Sequence, residues 1–139
     1  AHCQTRNWRK RKGKSMDMRD AFFEALYKRV QADASAIVLT GDQSAFWLDK
    51  LAADMPAQFL NCGIAEQNMI GVAAGLALSG RKVFVHGINN FLVLRALEQI
   101  AVDIVQHRAD VTLIGIGAAA LLGGIALIAI LAYLVGGRS

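Results

Sequence analysis

The chain has 139 residues, of which 55% are hydrophobic, with one proline, two cysteines and a formal net charge of +4. Its length suits one domain. The composition excludes a disordered chain of low hydrophobicity, a collagen-like repeat and a small protein held together by disulfides. The classes that remain are a globular domain and a globular domain with a membrane segment.

The positive charge is confined to the start of the chain, because residues 1–15 hold six basic side chains and no acidic one. The rest of the chain holds nine basic and eleven acidic side chains, a net charge of −2. Residues 1–15 lack hydrophobic periodicity and the apolar centre of a secretory signal, so they are predicted to form a basic, disordered leader. Binding of this leader to nucleic acid or to an anionic lipid surface is the weakest hypothesis, and we expect no nucleic-acid partner.

The two cysteines, Cys3 and Cys62, lie far apart and belong to no CxxC pair and no local Cys/His cluster. Neither a zinc site nor a disulfide framework is therefore indicated. A reducing compartment is the expectation that follows, and we predict a cytoplasmic protein.

The segment 16–117 alternates between helical and strand periodicity. In chain order, the pattern predicts a helix over 18–32, a strand over 37–40, a helix over 46–54, a strand over 58–62, a helix over 65–79, a strand over 82–86, a helix over 91–107 and a strand over 111–117. Strands that alternate with helices through short connections are typical of an α/β fold. We predict a parallel sheet flanked by helices.

The last part of the chain is unusually apolar, with no charge in the 27 residues from Val111 to Gly137. Beyond the last predicted strand, residues 118–135 form a stretch of about 18 residues, the lower limit for spanning a bilayer. The segment 118–139 is predicted to be an apolar helix. Three interpretations stay open: a transmembrane helix that associates the protein with a membrane, a buried or subunit-interface helix, and sequence foreign to the domain.

The most informative stretch is FLNCGIAEQNMIGVAAGLALSG, residues 59–80. It places one carboxylate, Glu66, in the first turn of a helix that is otherwise apolar or built of small residues. Such a carboxylate is expected to be at least partly buried, which suits general acid/base chemistry. An acid at the exposed start of a helix is the alternative.

The blocks GIAEQNMIGVAAGLALSGRKVFV and NNFLVLRALEQI resemble the pyrimidine-binding domain of thiamine-diphosphate-dependent transketolases. The sequence is particularly similar to the split type, whose C-terminal half is a separate subunit, and 1-deoxyxylulose-5-phosphate synthase is a close relative. The similarity covers about residues 18–117. It implies that 16–117 adopts the thiamine-diphosphate-binding fold of the pyrimidine-binding type, here C-terminally truncated and incomplete.

The resemblance also implies roles for three residues. Glu66 matches the catalytic glutamate that hydrogen-bonds N1′ of the aminopyrimidine and promotes the imino tautomer, which takes the proton from thiazolium C2. Phe91 matches the aromatic residue that packs on the aminopyrimidine, and Asp42 matches an acidic loop near the cofactor. The alternatives are an ordinary core phenylalanine at 91 and a common acidic turn residue at 42.

The implied cofactor is thiamine diphosphate, with Mg²⁺ bound mainly by a partner chain and no metal ligand in this one. The implied function is transfer of a two-carbon ketol unit between sugar phosphates, in an oligomer with the N-terminal, diphosphate-binding subunit. The sequence lacks the family's Thr-His-His element, so the alternative is a non-catalytic, membrane-anchored remnant of the domain.

Three further polar residues have simpler predicted roles. His86 is expected to be a polar residue at a strand end. His107 is expected near the C-terminus of a helix, where it interacts favourably with the helix dipole. Arg95 and Glu98, three residues apart, are predicted to pair on the solvated face of the same helix. The alternative, implied by the family resemblance, is an arginine that approaches the active-site side.

Overall fold

The structure is a computed structural model that describes residues 18–43 and 45–117. The predictions for the leader, 1–15, and for the apolar tail, 118–139, lie outside the described residues. Within the described ranges, no helix combines the length and the apolar character that a bilayer crossing requires.

The described chain follows the predicted alternation of helices and strands. The elements are α1 (Met18–Ala32), β1 (Ala36–Thr40), α2 (Phe46–Asp54), a 3₁₀ turn (Pro56–Gln58), β2 (Phe59–Asn61), α3 (Glu66–Leu78), β3 (Lys82–Ile88), a helical segment over 90–106 and β4 (Val111–Ile116). Helices α1 and α2 have the predicted bounds, and the other elements differ from the prediction by at most two residues at either end.

The four strands form one parallel sheet in the order β2-β1-β3-β4. The predicted fold class, a parallel sheet flanked by helices, is therefore confirmed. At the carboxyl end of β1, Thr40 pairs with Asn61 on one side and with His86 on the other. The chain leaves β1 towards β2 and later returns to place β3 on the opposite side. In parallel α/β sheets, ligands bind beside such a reversal of strand order, outside the carboxyl ends of the strands.

Strand β1 is buried along its whole length because helices cover both faces of the sheet. Ile37 and Leu39 face the core formed with α3 and the segment 90–106. Ala36 and Val38 face the second core, formed with α1 and α2. A strand buried on both faces reads as a continuous apolar run, which is what the sequence of β1 shows.

The segment 90–106 is helical but does not form the regular α-helix that was predicted over 91–107. It consists of a π-helical turn (Asn90–Leu94), one short α-helical turn, α4 (Leu97–Gln99), and a π-helical stretch (Ile100–Gln106). Four of its buried residues, Leu92, Ala96, Ile100 and Ile104, form a row at every fourth position, and Val93 is buried beside the row. A π-helical turn holds more residues than an α-helical turn, so residues four apart along the segment lie on one face. This geometry keeps the apolar row against the sheet. We call this segment the π-rich helix.

Strand β3 runs two residues further than predicted, so His86 lies inside the strand and not at its end. Its side chain is fully buried and packs edge-on against Phe23 of α1, with 5.2 Å between ring centroids. Nδ1 lies 3.4 Å from Oγ1 of Thr40, and Nε2 has no hydrogen-bond partner within the described residues. Burial lowers the pKa of His86 to about 4. The expected role as a polar strand end is therefore wrong.

The burial of His86 predicts a loss of stability in mild acid. An unfolded histidine has a pKa near 6.5, so between pH 6.5 and 4 the unfolded chain binds a proton that the folded chain does not. The free energy of unfolding should therefore fall as the pH drops through this window, by about 3 kcal/mol in total. Urea unfolding of the whole chain at a series of pH values measures this slope.

His86→Asn is the matching variant, because asparagine keeps a polar group near Nδ1 and does not titrate. We expect its unfolding free energy to depend less on pH between 6.5 and 4 than that of the wild type. Gln31→Asn, at an exposed position of α1, serves as the control and should keep the wild-type slope. Equal slopes in the wild type and in His86→Asn would show that the buried imidazole does not cause the effect.

Candidate active site

The three residues predicted for the site all lie at the carboxyl edge of the sheet. Asp42 follows β1, Glu66 follows β2 and Phe91 follows β3. Since the strands are parallel, the segments that follow them lie along one edge. The topology therefore brings together residues that are up to 49 positions apart in the sequence.

Glu66 is the first residue of α3, and its side chain is buried, with 6% exposure for the whole residue. The helix N-terminus favours an anion at this position because its first backbone N–H groups point towards it. A buried carboxylate also needs a charged or hydrogen-bonding partner, since its desolvation is costly. The alternative considered from the sequence, that Glu66 is an exposed acidic residue at the start of a helix, is therefore wrong.

Arg95 supplies that partner. Its Nη1 donates a hydrogen bond of 2.8 Å to Oε2 of Glu66, and the two groups form an ion pair. The predicted pair between Arg95 and Glu98 is therefore wrong. Glu98 is exposed, where an ion pair gains little over solvation by water, whereas the desolvated carboxylate of Glu66 gains much more from the arginine.

Phe91 is not a core residue, because 42% of it is exposed. The guanidinium of Arg95 lies over its ring, 4.6 Å from the centroid. Three more apolar side chains at this edge are exposed, Ile64 by 75%, Leu94 by 58% and Leu97 by 47%. An exposed aromatic ring among exposed aliphatic side chains is typical of a binding surface for a flat ligand or for another protein.

Asp42 lies in a loop that is tied to the end of β2. Its backbone N–H donates to Oδ1 of Asn61 over 2.9 Å, and Nδ2 of Asn61 lies 3.3 Å from Oδ1 of Asp42. Asp42 itself has a φ of +53°, in the left-handed region that aspartate tolerates better than most residues. Within the described residues, no hydrogen bond or ion pair connects Asp42 to Glu66 or Arg95. Glu66 and Phe91 are linked through Arg95, so two of the three predicted site residues share a contact partner.

Asn61 organises this loop, which the sequence reasoning did not recognise. Its Oδ1 also accepts a hydrogen bond of 2.9 Å from the backbone N–H of Gly63, two residues on. The neighbouring Gly41 has no room for a side chain, because a Cβ there would lie 3.2 Å from the carbonyl oxygen of Gly63. The sequence does contain a signal for this turn, because an asparagine that stands two residues before a glycine is a frequent turn pattern.

Arg95 is the second residue whose place in the site was not predicted, because a surface pair with Glu98 was preferred over a position near the active site. Its spacing from Phe91, four residues along a helical segment, is the one local signal that could have identified the contact between them. Its ion pair with Glu66 joins residues 29 positions apart, so no local sequence pattern indicates it.

The arrangement fits an aminopyrimidine ring. Oε2 of Glu66 is bonded to Arg95, and no hydrogen bond within the described residues uses Oε1. A carboxyl oxygen of this kind can bond a ring nitrogen, and the exposed ring of Phe91 offers flat apolar area for stacking. In residues 18–43 and 45–117, no group of three or more His, Cys, Asp or Glu side chains is placed to hold a metal ion.

Residues 14–125 match the family described as transketolase, pyrimidine binding domain. This match covers most of the chain, and the chain belongs to that family. The resemblance found in the sequence is therefore confirmed.

Among the relatives are subunits of split enzymes. The chain is 39% identical over 109 residues to a subunit of the apulose-4-phosphate transketolase of Phocaeicola vulgatus, and the alignment covers 78% of this chain and 33% of that protein. It is 32% identical over 99 residues to a subunit of the 6-deoxy-6-sulfo-D-fructose transketolase of a Clostridium species, and that alignment covers 70% of this chain and 31% of the relative. The chain thus spans about a third of the length of the curated relatives it matches.

A solved structure agrees with these matches. A split-gene transketolase, described as an inactive beta4 tetramer, superposes with a TM-score of 0.62 at 35% sequence identity. The superposition covers 68% of this chain and 32% of the other. It shows the same fold at a level of identity that also supports the family assignment.

The contacts of Asn61 predict the effect of removing its side chain. Asn61→Ala should lower the free energy of unfolding by about 0.5–1.5 kcal/mol, because two backbone N–H groups lose their acceptor and water replaces it only in part. Denaturant unfolding of the whole chain measures this. Asn68→Ala, at an exposed position of α3, is the control and should be neutral or slightly stabilising. An equal effect of the two substitutions would contradict the role given to Asn61.

Proposed function

We propose that this chain forms the pyrimidine-binding part of a two-subunit, thiamine-diphosphate-dependent transketolase. The enzyme transfers a two-carbon ketol unit between sugar phosphates. The observation that carries the proposal is the buried carboxylate of Glu66 beside the exposed ring of Phe91, at the carboxyl edge of the sheet. Membership of the transketolase family supports it.

In this proposal Glu66 is the catalytic residue. When bound, thiamine diphosphate supplies the carbon that attacks the donor ketose and carries the two-carbon unit. Glu66 would hold the ring nitrogen N1′ and share a proton with it, a task that suits a carboxyl group shielded from water. Phe91 would pack against the face of the pyrimidine and fix its plane. Asp42 would lie in a loop that borders the cofactor.

A partner subunit would complete the site. We assign to it the diphosphate group and the Mg²⁺ ion, which the family resemblance places on a separate domain. Two relatives that are named as transketolase subunits support a divided enzyme. The exposed side chains of Ile64, Leu94 and Leu97, in the segments that follow β2 and β3, support an interface here, because several large apolar side chains exposed at one edge of a sheet are commonly covered by another protein.

The proposal includes a cytoplasmic location. Cys62 forms no disulfide within the described residues, as expected for a cysteine in a reducing compartment.

Glu66→Gln tests the proposed function. Glutamine keeps the shape of the side chain and still offers an oxygen to Arg95, but it cannot share a proton with N1′. In a complex with a diphosphate-binding transketolase subunit, we expect ketol transfer to fall by about 10²–10⁴-fold. The measurement is the rate of two-carbon transfer from a ketose phosphate to an aldose phosphate, with saturating thiamine diphosphate and Mg²⁺.

Glu24→Gln is the matched control, since Glu24 lies on α1 and pairs with Lys28 on the surface. It should leave the rate unchanged. A Glu66→Gln complex as active as the wild type would contradict the proposal. A wild-type complex that assembles, binds thiamine diphosphate and still transfers nothing would instead favour the non-catalytic remnant.

A further inference from the structure

Arg95 contacts both residues that the proposed function places against the pyrimidine. It donates to Oε2 of Glu66 over 2.8 Å, and its guanidinium lies 4.6 Å from the ring centroid of Phe91. The Glu66 side chain is 7% exposed, whereas that of Arg95 is 45% exposed. The arginine therefore reaches from the solvated rim of the site to a carboxylate beneath it.

The bond to Oε2 restricts the orientation of the carboxylate. The last torsion of a glutamate side chain is broad and roughly two-fold, so an unbonded carboxylate samples many orientations. A charge-assisted hydrogen bond to one oxygen, in a site largely shielded from water, selects one of them. With Oε2 held by Arg95, Oε1 is the oxygen left to meet the ring nitrogen.

The stack on Phe91 restricts the plane of the aromatic ring. A guanidinium is flat and weakly hydrated, so it packs face to face on an aromatic ring, which the ammonium of lysine cannot do. Arg95 occupies one face of the ring, and a flat ligand would use the opposite face. The ring is then held between two flat groups.

We propose that Arg95 is a positioning residue that fixes Glu66 and Phe91 together in the arrangement required by the aminopyrimidine. This inference rests on the proposed function. It predicts that Arg95 acts on turnover through its two neighbours, without touching the sugar. Both contacts are made between side chains of this chain, so the inference predicts a site that is preorganised before the cofactor binds.

The first experiment tests the two contacts in the whole chain without cofactor. Nitrogen-15 NMR at low temperature follows the guanidinium of Arg95. We expect slowly rotating, protected Nη groups in the wild type and their loss in Glu66→Ala, which removes the acceptor. We also expect side-chain protons of Arg95 to be shifted upfield by the ring of Phe91, and this shift to disappear in Phe91→Leu. An Arg95 spectrum that neither substitution alters would overturn the inference.

The second experiment tests the role in turnover, in the complex with the diphosphate-binding subunit. Arg95→Gln should lower kcat by about 10²-fold, because displacement of a catalytic group by about 1 Å has effects of this size. The KM for the sugar should stay close to the wild-type value. Arg95→Lys should recover part of the loss, because lysine restores the ion pair but not the flat stack on Phe91.

Arg29→Gln is the control, since Arg29 lies on α1 with an exposed side chain, and it should keep the wild-type kcat. Wild-type turnover in Arg95→Gln would overturn the inference, and so would a loss that appears only as a higher KM for the sugar. If Arg95→Gln is fully active while Glu66→Gln is inactive, the positioning role fails and the proposed function stands. If Glu66→Gln is fully active, the proposed function itself fails.

Discussion

A parallel sheet covered by helices on both faces constrains where this chain can carry a site. Each connection must cross from the carboxyl end of one strand to the amino end of the next, so the segments that leave the strands gather along one edge. The two faces are filled by apolar side chains from α1, α2, α3 and the π-rich helix. The two residues of the proposed site, Glu66 and Phe91, follow β2 and β3 and lie at this carboxyl edge.

Within that edge, the ion pair of Glu66 with Arg95 determines the local arrangement. A carboxylate that is almost fully buried is stable only with a close partner, and the arginine that provides it also covers one face of Phe91. The side chain of Arg95 thereby links the start of α3 to the π-rich helix. The contacts of Arg95 that compensate for the burial of Glu66 thus also fix the positions of Glu66 and Phe91.

Much of the fold could be predicted from the sequence, because the signals are local. The apolar run of β1 and the helical spacing of α1 follow directly from which faces are buried. The first-turn position of Glu66 in a helix of small residues indicated its burial. The partner of Arg95 could not be predicted, since an ion pair over 29 positions depends on tertiary structure. The π-helical winding of 90–106 and the burial of His86 inside β3 likewise depend on what the neighbouring elements cover.

Native mass spectrometry of the protein, isolated under mild conditions from the cells that produce it, tests the central claim most directly. The claim is that this chain binds the pyrimidine end of thiamine diphosphate together with a partner that holds the other end. The predicted result is a complex that contains a diphosphate-binding transketolase subunit and thiamine diphosphate. Recovery of the chain without that partner and without cofactor would contradict the account.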